Sequence, residues 1–150
     1  MGVERLQSSL ARHRLVALDT SVFIYHLEAN TKYLLLNDCV FSWLESNRSK
    51  AMTSVITLAE LLVKPYRDSD HDSARKCYAL LSTYPNLEWM SPTLATANLT
   101  AKIRAMYFLR TPDALQAATA IEGQATAVVT NDRAFKRVPN FEVMVLDEYL

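Results

Sequence analysis

Short apolar runs that stop abruptly at polar residues recur along this chain, and segments with helical spacing separate them. The first is Leu15-Val-Ala-Leu18, broken at once by Asp19-Thr-Ser21. A continuous apolar run too short for a helix suits a strand buried on both faces, as in a parallel sheet. Residues 51–55, 87–90, 126–130 and 141–146 read as four further strands. Residues 33–46 carry apolar positions at helical spacing. Val22 to Leu27 reads as a short helix, and residues 57–63 as another closed by Lys64-Pro65. A helix capped by Asp72 or Ser73 runs to about Thr83, and residues 93–108 form one with Leu94, Ala97, Ala101, Ala105 and Phe108 on or near one face. Phe135 to Val138 is a short turn or helix. Strands alternating with helices predict an α/β domain with a central, mostly parallel sheet of about five strands flanked by helices.

Arg110-Thr-Pro-Asp-Ala-Leu-Gln-Ala-Ala-Thr-Ala120 is the most informative helical stretch. Thr111 reads as its N-cap, Pro112 as its first residue and Asp113 as a first-turn acid. Ala114, Leu115, Ala117, Ala118 and Ile121 make it small or apolar nearly all round, so it is read as buried, with a carboxylate at its N-terminus. Gly123 is read as its C-terminal stop. Taken alone, Asp113 need only complement the helix dipole, for about 0.3–1 kcal/mol.

With 150 residues, half of them hydrophobic, the chain fits one domain with an ordinary core. Residues 1–13 are polar and weakly patterned. They are a frayed extension or a short helix, set apart from a domain over 14–150. Sixteen basic residues balance sixteen acidic ones, so nucleic-acid binding would need a local basic patch in place of a global field. Cys39 and Cys77 stand far apart and read as buried thiols in a reducing compartment. His13, His26 and His71 show no zinc spacing. No apolar run reaches the roughly 18 residues that span a bilayer, and the N-terminus lacks a secretory pattern, so a cytoplasmic location is expected.

Four acids occupy comparable places. Asp19 and Asp132 each end a buried strand, Asp113 opens a buried helix, and Glu60 lies among Leu58, Ala59, Leu61, Leu62 and Val63. Parallel topology places strand ends and following helix starts on one edge, where ligands bind in open α/β sheets. Asp19 could instead cap a helix, and Glu60 could lie on a narrow exposed stripe. If the four converge, their mutual repulsion raises their pKa values unless a cation compensates. An all-oxygen set without histidine or cysteine suits Mg²⁺ or Mn²⁺. Such a cation assists phosphodiester hydrolysis by acidifying water and stabilising charge on the phosphate. Ser21, Thr130 and Asn131 adjoin the acids, where they either orient a carboxylate or water, or cap chain ends.

Val-Ala-Leu-Asp19-Thr-Ser, Thr-Leu-Ala-Glu60-Leu, Thr-Pro-Asp113-Ala-Leu-Gln-Ala-Ala-Thr-Ala and Val-Val-Thr-Asn-Asp132-Arg-Ala-Phe resemble, in order, the four acidic motifs of the PIN-domain family. More narrowly, the chain is similar to the ribonuclease toxins of VapBC-type toxin–antitoxin pairs, from about Leu15 to Tyr149. The resemblance implies a Rossmann-like PIN fold and Mg²⁺- or Mn²⁺-dependent endonucleolytic cleavage of RNA. It also implies a homodimer and a cognate antitoxin whose tail blocks the acidic cleft. By that match Asp19, Glu60, Asp113 and Asp132 are the catalytic, metal-binding acids.

Lys102, Arg104 and Arg110 precede Asp113, and Arg133, Lys136 and Arg137 follow Asp132. They either hold RNA phosphates beside the acidic edge or are ordinary surface charges. Tyr25, Tyr33 and Phe135 either stack on unpaired bases or belong to the core or rim. Residues 34–41 are the guess for a dimer interface. The alternative function is a non-catalytic PIN-type module that binds RNA or protein, although such a module has no need of four clustered acids. A receiver-like phosphoacceptor fits poorly, because Asp19 is single and the 87–90 strand ends in Ser91-Pro92. A nucleotide-binding domain fits worse, since no G-x-G-x-x-G or Walker loop is present and there are only two glycines.

Overall fold

Five short strands form one sheet in the order β3-β2-β1-β4-β5, with every pairing parallel. They are β1 (Leu15–Leu18), β2 (Lys50–Ser54), β3 (Leu87–Met90), β4 (Ala127–Thr130) and β5 (Glu142–Val145). The computed structural model describes residues 1–46 and 48–150. Helices α2 (Thr20–Leu27) and α3 (Leu34–Glu45) connect β1 to β2. Helices α4 (Val55–Arg67) and α5 (His71–Ser82) connect β2 to β3, and α6 (Leu94–Tyr107) and α7 (Thr111–Glu122) connect β3 to β4. Helix α1 (Gly2–Ala11) precedes the sheet, and 3₁₀ turns cover Arg133–Arg137 and Leu146–Tyr149.

The apolar runs are uninterrupted because both faces of the sheet are covered. Val16, Leu18, Ala51, Ala127 and Val129 point into one core with Leu6, Phe23, Val40 and Leu61. Ala17, Met52 and Val128 point into a second core with Ile103, Ala114, Ala117, Ala118 and Phe135. The first core lies under α1 to α5 and the second under α6 and α7. Connections run outward from β1 through β2 to β3, then return across the sheet to β4. With right-handed crossovers, that reversal puts α6 and α7 on the opposite face. It also opens a crevice beyond the carboxyl ends of β1 and β4, the switch point of such sheets.

Several local expectations change. Lys64-Pro65 does not close α4, which continues to Arg67 with Pro65 inside it. In the last turn proline forfeits one backbone bond, and the amide of Asp68 still donates to Lys64 O at 2.9 Å. The cap of α5 is Asp70, whose carboxylate accepts from the Ser73 amide at 3.1 Å; neither Asp72 nor Ser73 plays that part. Arg110, not Thr111, is the N-cap of α7, without a side-chain bond. Gly123 ends α7 at φ −77°, and the left-handed position falls to Gln124 at φ 64°. Space also favours glycine at 123, because a Cβ there would push aside the end of the Met52 side chain.

Two larger findings concern helices. The face of α6 that carries Leu94, Ala97, Ala101, Ala105 and Phe108 is turned to solvent: Leu94 is 91% exposed and Phe108, its C-cap, 80%. Thr96, Thr100 and Ile103 are buried instead. Burial of these threonines is tolerated because Thr100 Oγ1 donates to Thr96 O at 2.7 Å and Thr93 forms a capping box with Thr96. The open question of residues 1–13 resolves into α1, with Leu6 and Leu10 fully buried in the first core. Its end is fastened by His13, whose Nε2 lies 2.6 Å from Glu142 and Nδ1 2.7 Å from Thr126 Oγ1. Cys39 and Cys77 are free and half-buried, and burial raises both thiols. Among the described residues, no helix is long and apolar enough to cross a membrane.

Candidate active site

The edge beyond β1 and β4 is built from strand ends that lie side by side. Leu18 pairs with Val129, and the Asp19 amide donates to Val129 O at 3.0 Å. Asp19 follows as the N-cap of α2, in extended conformation and without a capping side-chain bond. Its carboxylate is therefore free for other work. It is 8% exposed, and Thr130 Oγ1 donates to its Oδ2 at 2.8 Å. Burial is the main reason its pKa rises to about 6; the Thr130 hydroxyl and the Thr20 amide oppose the rise, and the charges of Asp113 and Glu60 add to it.

Asp113 stands in the first turn of α7 with its side chain 13% exposed, and Arg110 donates to its Oδ2 from Nε and Nη2, both at 3.3 Å. Its pKa is also raised, first by burial; Arg110 opposes that and Asp132 adds to it. Glu60 is exposed on α4, and Thr20 Oγ1 donates to its Oε1 at 2.8 Å. Asp132 accepts the Ala134 amide at 2.9 Å and so caps the 3₁₀ turn. The four acids thus form an electrostatic sequence in which Glu60 and Asp113 act on Asp19, and Asp132 acts on Asp113.

Each carboxylate is also held by a separate protein donor. Among the described residues no three acidic, histidine or cysteine groups stand close enough together to ligate one ion directly. A hard, hydrated cation does not need that many. Mg²⁺ keeps several waters and is bound through one or two carboxylates. The donor set here is oxygen only, and a buried carboxylate pressed by two other acids gains from a positive charge. The residues therefore fit Mg²⁺ or Mn²⁺.

The adjoining polar residues bind one another. Thr130 is fully buried, and its hydroxyl donates to Asp19 while accepting the Asp132 amide at 3.0 Å. Ser21 Oγ accepts the Asn131 amide at 3.2 Å. Asn131 Nδ2 donates to the hydroxyls of Tyr25 and Tyr33, whose rings stack with centroids 4.1 Å apart. Tyr33 is buried in the first core with Tyr25 packed against it, and Phe135 is buried in the second.

The basic residues divide. Arg133 and Lys136 both pair with Glu148, and Arg110 pairs with Asp113. Arg104 Nε donates to Leu109 O at 3.2 Å, and Arg137 Nη1 to Tyr107 O and Phe108 O at 3.3 Å. Of the guessed interface, Leu36, Val40 and Phe41 are buried core, leaving Leu34 and Leu35 exposed. A cavity of about 560 Å³ between α2, α4 and α5, floored by Ile24, Leu27, Leu61 and Leu80, opens beside Glu60.

Sequence reasoning passed over Thr20, Thr57 and Gln116. The available signal was spacing: Thr57 lies three residues before Glu60 and Gln116 three after Asp113, so each shares a helix face with an acid.

The family model for the PIN domain matches residues 16–140. The chain belongs to the PIN-domain family. Solved structures with the same PIN fold include VapBC2 from Rickettsia felis bound to a DNA fragment from its promoter, at TM-score 0.69 and 21% identity over 87% of this chain and 98% of that one. DNA-bound VapBC from Salmonella typhimurium gives TM-score 0.66 and 22% identity over 89% and 98%. VapBC-1 from nontypeable Haemophilus influenzae gives 0.67 and 21% over 89% and 98%. No curated protein matches this PIN domain. The matched span leaves α1 outside it.

Proposed function

We propose that this PIN domain is a Mg²⁺- or Mn²⁺-dependent endoribonuclease, and that it is the toxin of a toxin–antitoxin pair. The observation that carries the reading is Asp19: a buried carboxylate at the sheet's switch point, pressed by the charges of Asp113 and Glu60. A domain that only docks a partner gains nothing from that unfavourable arrangement, whereas a bound cation would offset it. The cation would be held at Asp19, Glu60, Asp113 and Asp132, by one or two of the carboxylates directly and by the others through its waters; when bound it supplies charge neutralisation and water acidification for phosphodiester hydrolysis.

The chain's own residues then have separable tasks. Thr130 orients Asp19, and Thr20 orients Glu60. Ser21 and Asn131 hold the end of β4 against α2 and against the C-terminal turn, where Asn131 Oδ1 accepts the Asp147 amide at 2.9 Å. Arg104 and Arg137, neither of them in an ion pair among the described residues, and Arg110 beside Asp113 are placed to hold RNA phosphates. Toxin–antitoxin complexes among the structural neighbours support a protein inhibitor as partner. A homodimer belongs to the same reading.

The test is cleavage of a mixed RNA pool by purified protein with Mg²⁺, with Mn²⁺ and with chelator, beside Asp19→Asn. Metal-dependent cuts lost in the variant support the nuclease. Absence of cleavage by a folded, inhibitor-free preparation favours the non-catalytic binding module.

A further inference from the structure

A chain of buried hydrogen bonds runs beneath the acidic edge. Gln116 Nε2 donates to Thr57 Oγ1 at 2.5 Å, and Gln116 Oε1 accepts the Ser54 amide at 3.3 Å. Thr57 Oγ1 lies 2.7 Å from Thr53 Oγ1 and 3.2 Å from Thr20 Oγ1. Thr53 Oγ1 donates to Leu18 O at 2.9 Å, and Thr20 Oγ1 donates to Glu60 Oε1 at 2.8 Å. Thr57 and Thr53 are 0% and 1% exposed, Gln116 and Thr20 5% and 6%.

The donors and acceptors fix its direction. A hydroxyl has one hydrogen to give. Thr53 gives its hydrogen to the Leu18 carbonyl and Thr20 to the Glu60 carboxylate. Thr57 receives the Gln116 amide, so its own hydrogen is left for Thr53 or Thr20. Each member of the chain therefore has a partner, the condition under which a buried polar network rigidifies its surroundings.

Its members are the sequence neighbours of three acids. Thr20 follows Asp19 directly. Thr57 lies one helical turn before Glu60, and Gln116 one turn after Asp113. Three elements that carry acids, α2, α4 and α7, thus meet at the Thr57 hydroxyl. An apolar contact at this place would hold the helices together without fixing their separation to a fraction of an ångström. We infer that Thr57 is a positioning residue: through Thr20 and Gln116 it sets the spacing of Asp19, Glu60 and Asp113, and so the affinity of the edge for a divalent cation. This rests on the metal-site reading above, while its test is independent of RNA.

The experiment is Mn²⁺ titration of the full chain, followed by the electron paramagnetic resonance signal of the free ion, for wild type, Thr57→Ser, Thr57→Val and Gln116→Leu. Each is measured well below its own unfolding temperature, with circular dichroism to establish that it is folded. Thr57→Ser keeps the hydroxyl and is expected to bind Mn²⁺ as wild type does. Thr57→Val keeps the volume but loses the hydroxyl, and Gln116→Leu removes the donor; both are expected to weaken Mn²⁺ binding about tenfold or more, the usual effect of removing a partner that orients a ligand. A residue that only supports the fold would lower the unfolding temperature and leave the Mn²⁺ midpoint in place. Wild-type Mn²⁺ affinity in folded Thr57→Val overturns the inference, as does absence of Mn²⁺ binding by the wild type. Wild-type protein that binds Mn²⁺ with the expected Thr57 dependence yet cleaves no RNA overturns the nuclease reading alone.

Discussion

Thr130 gives its hydroxyl hydrogen to Asp19 Oδ2 at 2.8 Å and receives the Asp132 amide on the same oxygen at 3.0 Å. One buried side chain at the end of β4 therefore touches both acids that terminate the central strands. The bond stabilises Asp19 in its ionised form against the larger effect of burial. Thr130→Val should raise the Asp19 pKa above its value of about 6. A hydrogen bond to a charged group contributes about 1.5–3 kcal/mol. Cation binding by the variant should then require higher pH, with the midpoint of a pH-dependent Mn²⁺ titration moved upward and Thr130→Ser behaving as wild type. An unmoved midpoint in Thr130→Val would show that Thr130 merely fills space.

The raised pKa of Asp19 predicts an inverted pH dependence of stability. Its ordinary value is 3.8 and its folded value about 6, so between these the folded chain holds its proton more tightly than the unfolded one. Stability contributed by this group is present below 3.8, falls as pH rises through 6, and stays low above it. The difference amounts to about 3 kcal/mol at most. In chelator, Asp19→Asn should be more stable than wild type at pH 7.5, and the gap should close by pH 4. Denaturant unfolding of both proteins across that range measures it. Mg²⁺ should raise the unfolding temperature of wild type and leave the variant unchanged, because only a ligand that binds the folded state stabilises it. A gap independent of pH would count against Asp19 as its source.

Helix α1 contributes to the same core as the sheet. Leu6 and Leu10 are fully buried beside Val16, Val40 and Leu44. Leu6→Ala should cost about 2–5 kcal/mol, as for other buried leucines. Removal of residues 1–13 should lower the unfolding temperature further, because it also strips Glu142 of Arg12 and His13. A truncated chain that melts with wild type would mean that α1 is ornamental to the domain. Calorimetry of the two proteins decides it.

Much of this architecture is legible in the sequence, and the reasons differ by element. Leu15–Leu18 and the run ending at Thr130 stand out because strands buried on both faces leave no charged residue to blur them, whereas the edge strand Leu87–Met90 carries the exposed Glu88 and is legible from the Pro85-Asn86 and Ser91-Pro92 breaks that bound it. The acids stand out because each interrupts apolar sequence. Helix α6 misleads, since Leu94, Ala97, Ala101, Ala105 and Phe108 have an inward-looking pattern while Thr96 and Thr100 take the buried face. Threonines that satisfy their hydroxyls on their own helix lose the polarity that pattern reading assumes. Thr57 and Gln116 are overlooked for a related reason. A buried polar network is defined by contacts between α2, α4 and α7, distant in sequence, and its members look like ordinary helix residues one at a time.

Phe108 breaks a local rule, and the break has a measurable cost. It is the C-cap of α6 at φ 59° and ψ 35°, a left-handed conformation in which a Cβ crowds the backbone, at about 1–2 kcal/mol for residues other than glycine. Its ring is 80% exposed, so little burial offsets that strain. Its backbone is well held: the Phe108 amide donates to Arg104 O at 3.0 Å, and Arg137 binds its carbonyl. Phe108→Gly keeps those bonds and removes the crowding. Glycine's freedom in the unfolded chain subtracts roughly 0.4–1 kcal/mol from the gain. The expected net result is a chain as stable as wild type or more so by up to about 1 kcal/mol, the reverse of the usual outcome when a large apolar side chain is deleted. Equilibrium unfolding in urea measures it, with Phe108→Ala as the control that deletes the ring and retains the strain. If glycine destabilised the chain as much as alanine, the ring would have to be making contacts that its exposure denies.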